Sequence, residues 1–238
     1  MILLSYDLET SGLDFVKDRV IEVGAILYST TQRKCLESQG FLVKTDVAIS
    51  EEITKLTGIT QAAVNKFGYE SSDALSTVSD MLQCADAVIG HNAVRFDKRM
   101  TQAWSERENI SLDNKLWIDT YTDLPGSTPG KLTLMAAEAG FLNLFPHSAL
   151  SDCQTVLKLV EGYDIEKVIE RAKSPNVVVQ AMVTYDTNAL AKKERFRWYP
   201  ERKQWYKIFK EIDLESATKD FQFDVRVYRE NIQEYLDL

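Results

Sequence analysis

The chain opens on Ile2-Leu3-Leu4-Ser5-Tyr6-Asp7-Leu8, a short apolar run that ends in an acid, and Glu9 follows directly. Bounded by Thr10-Ser11-Gly12, such a run reads as a buried strand leading into a tight turn. Residues two apart on a strand point the same way, so Asp7 and Glu9 share one face at the strand's end. Two carboxylates held together there repel each other and lose hydration, and a divalent cation between them is the natural remedy. The alternative is a solvated strand end before a turn, and the acid-x-acid triplet alone does not separate the two.

The rest of the pattern supplies layers to cover that strand. Residues 19–29 are rich in β-branched side chains and read as a second strand, with residues 33–44 as a third. The tight turn Ser29–Gln32 between them makes the pair antiparallel. Ser50 before Glu51-Glu52-Ile53 starts a short helix that Gly58 ends, Thr60 caps another, and Leu75, Val78 and Leu82 form a helical stripe within residues 70–83. Residues 85–90 read as a fourth strand, 94–108 as a helix and 116–120 as a fifth strand, and a helical crossover makes those two strands parallel. Residues 132–139, 149–160 and 165–172 read as helices. The expected class is α/β, a mixed five-stranded sheet flanked by helices.

Texture changes at Ser174-Pro175-Asn176, so a domain over 1–174 is expected to precede a small α+β module over 175–238. In the module, 177–185 reads as a strand, 188–194 as a helix and 221–228 as another strand, with Phe196–Tyr199 and Gln204–Phe209 as a hairpin about Pro200-Glu201-Arg202-Lys203. From Lys192 to Lys210 there are eight bases against two acids, interleaved with Phe196, Trp198, Tyr199, Trp205, Tyr206 and Phe209. Bases among exposed aromatics suit a single nucleic-acid strand, and buried aromatics flanked by solvated charges are the competing reading. FRWYPERKQWYK also resembles a small module appended to some phage and bacterial exonucleases.

The formal net charge of −8 counts mildly against a nucleic-acid partner, although a carboxylate metal site and a local basic patch are compatible with it. Cys35, Cys84 and Cys153 are odd in number and fit no zinc spacing, so reduced thiols are expected. No window reaches membrane-spanning length and the leading apolar run is too short for a signal sequence, which gives the expectation of a cytoplasmic protein with no membrane partner.

Two further clusters repeat the chemistry of the first strand. His91-Asn92-Ala93-Val94-Arg95-Phe96-Asp97 follows a strand and opens a helix, and His147-Ser148-Ala149-Leu150-Ser151-Asp152 precedes another helix. DLETSGL, GHNAVRFD and H-x-x-x-x-D, in this order and at this spacing, resemble the three motifs of the DEDDh (DnaQ-like) 3′→5′ exonuclease superfamily, across roughly residues 1–170. ISEEITKLTGIT, Trp117-Ile118-Asp119-Thr120 and Lys131-Leu132-Thr133-Leu134 resemble the family's connecting pieces. Two residues, Val94 and Arg95, separate Ala93 from Phe96-Asp97 where the usual motif has one. That form resembles the exonuclease I group, which acts on single-stranded DNA.

The resemblance implies a ribonuclease H-like sheet and a two-metal hydrolysis that releases 5′-nucleotides. It implies that Asp7, Glu9, Asp97 and Asp152 hold two divalent ions, Mg²⁺ with Mn²⁺ as a substitute. Asp7 would touch both ions, Glu9 and Asp152 the one beside the nucleophile, and Asp97 the other through water. His147 is implied as general base, with a plain loop histidine as the alternative. Thr10, Leu13, His91, Asn92 and Phe96 are implied at the terminal nucleotide; for His91 a structural role, and for Leu13 and Phe96 a place in the core, are equally open. Single-stranded DNA is the favoured partner and RNA the second, as for an enzyme of the ribonuclease T or oligoribonuclease type. The different-class readings are a non-catalytic protein that binds DNA ends or serves a polymerase, and a Cys153–His147 hydrolase. The resemblance also suggests a bacterial or phage-encoded protein; the sequence fixes no oligomeric state.

Overall fold

The computed structural model describes residues 1–126, 130–230 and 232–236. They form two compact units, Met1–Ala172 and Lys173–Leu238.

The first unit is built on a five-stranded sheet. Strands β1 (Ile2–Thr10), β2 (Val20–Ser29), β3 (Lys34–Leu42), β4 (Ala87–Gly90) and β5 (Leu116–Asp119) lie in the order β3-β2-β1-β4-β5. β1 and β2 pair antiparallel, as do β2 and β3, while β4 runs parallel to both β1 and β5. The short turn after Ser29 and the crossover helix after Gly90 impose those directions, as expected from the sequence.

Helices α1 (Glu51–Thr57), α2 (Gln61–Phe67), α3 (Ser71–Cys84), α4 (Asp97–Glu108), α5 (Leu132–Glu138), α6 (Ala149–Val160) and α7 (Ile165–Lys173) cover the sheet. Ser50 Oγ accepts from Ile53 N–H to start α1, and Gly58, at φ 75°, ends it; Thr60 caps α2 in the same manner. The helical stripe Leu75, Val78 and Leu82 packs with Leu4, Tyr6 and Leu8 of β1 and with Met100 and Trp104 of α4. On the other side, Leu3, Ile89 and Ile118 pack with Met135, Cys153, Val156 and Val168. The two faces of β1 are thus buried against different helices, which is why its apolar run is nearly continuous.

The second unit has strands β6 (Asn176–Ala181), β7 (Arg197–Tyr199), β8 (Gln204–Lys210) and β9 (Val225–Tyr228) in the order β7-β8-β6-β9, all neighbours antiparallel. Helices α8 (Asn188–Lys193), α9 (Leu214–Thr218) and α10 (Gln233–Leu236) accompany it. Two expected strands are shorter than their sequence pattern. β6 stops at Ala181, four residues before Tyr185, where its pairing with β9 ends at Val225. Phe221 and Phe223 leave the strand and stack on each other beside Phe196, because four phenylalanines gather into one small core there.

Candidate active site

Alternation along β1 sends Leu4, Tyr6 and Leu8 into the α3–α4 layer and leaves Ser5, Asp7 and Glu9 on the face that receives α6. Pairing between β1 and β4 reaches only Ser5 and Ile89, so the last part of β1 lacks a partner on that side. The Leu8 N–H donates instead to Asp97 Oδ1, 3.0 Å away, at the first residue of α4. A side-chain carboxylate thereby continues a ladder that the strand itself cannot, and Asp97 is almost completely buried in doing so.

The close approach of α6 depends on glycine. A Cβ at Gly24 would fall 2.3 Å from the Ala149 carbonyl carbon and 2.5 Å from Leu150 N, and one at Gly40 would fall 2.9 Å from Leu150 Cδ2. Three bonds then fasten the helix to the sheet. Ser5 Oγ donates to Cys153 O at 3.0 Å, Cys153 Sγ donates to Gly24 O at 3.2 Å, and the Ala149 N–H donates to Glu22 Oε2 at 3.0 Å. Ser148 makes no side-chain cap to α6, so the carboxylate of Glu22 on β2 serves an orphan donor of its first turn.

This docking brings Asp152 to β1. Ligand atoms of Glu9, His147 and Asp152 lie within 4.8 Å of one another. The Asp152 carboxylate is held at both oxygens by the preceding loop: Asn143 Nδ2 donates to Oδ1, and His147 N–H donates to Oδ2 at 3.2 Å. Asn143 Oδ1 in turn accepts from Ser151 Oγ at 3.0 Å and from Phe145 N–H at 3.2 Å. With its oxygen facing two donors and its amide facing a carboxylate, Asn143 has one sensible orientation. His147 is exposed and sits in the left-handed region at φ 63°. The loop bonds hold it there against the local cost of that conformation.

Negative charge is concentrated here. Burial, then the fields of Asp97, Asp152, Glu9 and Glu22, push the Asp7 carboxyl well above the usual range. Burial, with Asp152 and Glu22 adding to it, pushes Glu9 up to about 8. Burial likewise raises Asp97, Asp152 and Glu22, although hydrogen bonds from Leu8 N–H, Asn143 and Ala149 N–H oppose the rise at each in turn. Carboxyls this costly to ionise together are the donor set that hard divalent cations require. The residues therefore fit a divalent-metal site. Asp7 and Asp97 lie outside the tight trio, and His147, expected only as a base, lies inside it.

The residues expected at the terminal nucleotide divide. Thr10 is buried and its hydroxyl donates to Gly12 O at 2.6 Å, so it shapes the turn after β1. Gly12 is required by Asp18: a Cβ would meet that carboxylate at 2.4 Å, while Asp18 accepts from Ser11 Oγ and Asp14 N–H. The absence of a side chain at Gly12 thus makes room for the loop's own anchor. Leu13 stands on this loop at 78% exposure, free to meet a ligand. Phe96 is half-buried against Phe15, with ring centroids 5.8 Å apart, and packs on the core.

His91 Nδ1 lies 2.9 Å from Thr120 Oγ1 and its ring meets Tyr121 edge-on, and burial lowers its pKa. Asn92 is exposed with φ 57°, and its N–H donates to Asp119 Oδ1 at 2.7 Å. Asp119 also accepts from Val94 N–H and Tyr121 N–H, while burial pushes its own pKa up to about 6. Here His91 and Asn92 hold the loop that carries Asp97, which is the structural alternative considered for His91.

Three supporting residues were not assigned roles from the sequence. Glu22 carried a signal, a lone acid inside the apolar strand Val20-Ile21-Glu22-Val23. Asp119 was marked by its place in Trp117-Ile118-Asp119-Thr120, although its partners Asn92 and Val94 are remote, and Asn143 carried no signal beyond its type, since its bonds depend on loop shape. Cys153 is fully buried, its thiol donates to Gly24 O and burial raises its pKa, which removes the Cys–His hydrolase reading.

The sequence profile of the RNase T family, described as exonuclease, matches residues 4–160. The chain is 33% identical over 115 residues to a DNA polymerase III PolC-type of Mycoplasmopsis pulmonis, covering 48% of this chain and 8% of the polymerase. Its fold is similar to that of E. coli exonuclease I in complex with a dA16 oligonucleotide, with TM-score 0.59, 17% identity and coverage of 76% of this chain and 48% of that one. The zinc-bound form of the E. coli exonuclease I–single-stranded DNA complex gives TM-score 0.61 and 18% identity, over 76% and 47% of the two chains. The chain thus spans about half the length of those solved chains and under a tenth of the polymerase. With two-thirds of its length matched by the exonuclease profile and that fold beneath it, the chain belongs to the DEDDh, DnaQ-like 3′→5′ exonuclease family.

Proposed function

We propose that the protein is a divalent-metal-dependent exonuclease that removes 5′-nucleotides from the 3′ end of single-stranded DNA. The observation that carries this reading is the convergence of Glu9, His147 and Asp152 within 4.8 Å, in the same field as Asp7 and Asp97. Five polar groups from β1, α4, α6 and the loop before α6 meet at one end of the sheet. An end-binding protein without catalysis gains nothing from that crowding.

Asp7, Glu9, Asp97 and Asp152 hold the cations, Mg²⁺ by the hardness of the oxygen donors, with Mn²⁺ able to replace it. When bound, the ions neutralise the scissile phosphate and acidify the attacking water. His147 takes the proton at its ring nitrogen, from an exposed position beside Glu9 and Asp152. Leu13, 78% exposed on its loop, contacts the terminal base, with Asn92 and Phe96 assigned to the same nucleotide by the family resemblance. Single-stranded DNA is favoured by the longer second motif and by the substrate named in the exonuclease I complexes. The free thiols of Cys35, Cys84 and Cys153 support a reducing, cytoplasmic setting. Among the described residues no helix is long and apolar enough to cross a membrane.

The test is a set of 3′- and 5′-labelled DNA and RNA oligomers, single- and double-stranded, with Mg²⁺, Mn²⁺ or EDTA. A ladder shortening from the 3′ end of single-stranded DNA, abolished by EDTA and by Asp7→Asn, is the expected result. Faster trimming of RNA would move the substrate to the second reading, and activity that persists in EDTA would end the metal-dependent one.

A further inference from the structure

The acidity of the chain lies in residues 1–172, with 25 acids against 16 bases, whereas residues 173–238 are balanced at 11 against 12. Within the second unit the aromatics of the basic stretch are mostly committed to packing. Phe196, Tyr199 and Tyr206 are buried, and Phe209 joins the same core as Val177 and Val179. Several bases are committed too: Arg202 pairs with Glu234, and Lys207 donates to Glu194 O at 2.9 Å.

Trp198 is the exception. It lies on edge strand β7, directly across from Trp205 of β8, with ring centroids 5.5 Å apart and planes at 54°. Trp205 is packed into the core, but Trp198 keeps 47% of its surface open. From the last turn of α8, Lys192 places its Nζ 5.5 Å from the Trp205 ring centroid. The packed ring thus has a cation against it and an open ring beside it, and Lys193, Arg195 and Arg197 are exposed near them in sequence. A large indole left half in water forfeits burial that the rest of this small core uses fully.

We infer that Trp198 is a stacking site for an unpaired nucleobase, with Lys192 set to meet the adjoining phosphate. The open ring face takes a base of any identity and the ammonium takes the backbone charge, the combination by which proteins hold single strands without reading sequence. The choice of nucleic acid as ligand rests on the exonuclease reading of the first unit. The site itself lies wholly in the second.

The experiment uses the full chain carrying Trp198→Ala or Trp198→Tyr, and a twenty-nucleotide fluorescein-labelled oligothymidylate. Binding is read by anisotropy in EDTA, where no chemistry runs. Turnover of a thymidine dinucleotide with Mg²⁺ and the thermal midpoint are read alongside. Trp198→Ala should weaken binding by about 5- to 100-fold while leaving dinucleotide turnover and the midpoint unchanged, and Trp198→Tyr should restore most of the affinity. Unchanged affinity in Trp198→Ala overturns the inference. So does a loss of affinity that comes with a lowered midpoint and that Trp198→Tyr does not recover, because the ring is then structural. A wild-type chain that binds through Trp198 yet releases no nucleotide from either substrate would refute the exonuclease reading and leave the stacking site standing.

Discussion

The side-chain amide of Asn143 donates to Oδ1 of Asp152, nine residues further along the chain, across the loop that carries His147. The same amide oxygen holds Phe145 N–H and Ser151 Oγ, so one residue ties the loop to the start of α6. Replacing it with Leu removes a charge-assisted bond and two neutral ones while keeping the same branched outline. Hydrogen bonds to charged groups contribute about 1.5–3 kcal/mol, so kcat should fall by roughly 10- to 100-fold. KM for a short oligonucleotide should hardly change, since the Asn143 amide is already engaged by Asp152, Phe145 and Ser151. Steady-state kinetics decide it, and hydrogen exchange at the Phe145 amide, which Asn143 Oδ1 holds, gives a readout free of turnover: faster exchange is expected in Asn143→Leu. Unchanged kcat together with unchanged exchange would show that the tie is idle.

His147→Ala should retain oligonucleotide binding and lose about 10²-fold or more in turnover. Measuring both on one preparation matters, because His147 N–H also supports Asp152 and the backbone keeps that bond in the variant. Near-normal turnover would return His147 to an ordinary loop residue.

The pH dependence of stability follows from the raised carboxyls. Glu9 titrates at about 8 in the folded chain and at the ordinary glutamate value when unfolded, and Asp7, Asp97, Asp152 and Glu22 shift in the same direction. Between those values the folded state binds more protons than the unfolded one, so stability falls as pH rises. The metal-free protein should therefore lose thermal midpoint steadily from about pH 5 to about pH 8. Mg²⁺ should raise the midpoint most at the upper end, where the carboxylates are ionised. Glu22→Gln should flatten part of the slope, because it removes a charge facing Glu9 while keeping an acceptor for Ala149 N–H. A midpoint that rises over this interval in EDTA would contradict the assigned crowding.

Gly24→Ala tests the seat of α6. The added methyl would meet the backbone of Ala149 and Leu150, which cannot swing aside as a side chain can. Overpacking of this kind costs about 1–3 kcal/mol, read by denaturant unfolding. Because the displaced helix carries Asp152, turnover should fall beyond what the lost folded fraction explains. A variant as stable and as active as wild type would mean that α6 tolerates a wider spacing.

Local rules already determined much of the architecture. Ser50, Thr60 and Gly58 act at helix ends through bonds to neighbours in sequence, and the short turn after Ser29 dictates antiparallel strands. Strand periodicity put Asp7 and Glu9 on one face, and the three motifs named the acids and the histidine. Boundaries in the second unit were less legible. Phe221 and Phe223 alternate like a strand, but packing against Phe196 gave more burial than extending the ladder.

What only the tertiary structure decided is how the acids meet. Gly24 reads as an unremarkable strand glycine until α6 lies on it, and Glu22 as a stray acid until Ala149 N–H reaches its carboxylate. Asp119 grips Asn92 and Val94 across 27 and 25 residues, and Asp97 replaces a strand partner for Leu8 across 89. Sequence fixes which groups can ionise, cap or turn, because those properties belong to a residue and its immediate neighbours. Which carboxylates share a field depends on distances between elements remote along the chain, and only the packed fold sets them.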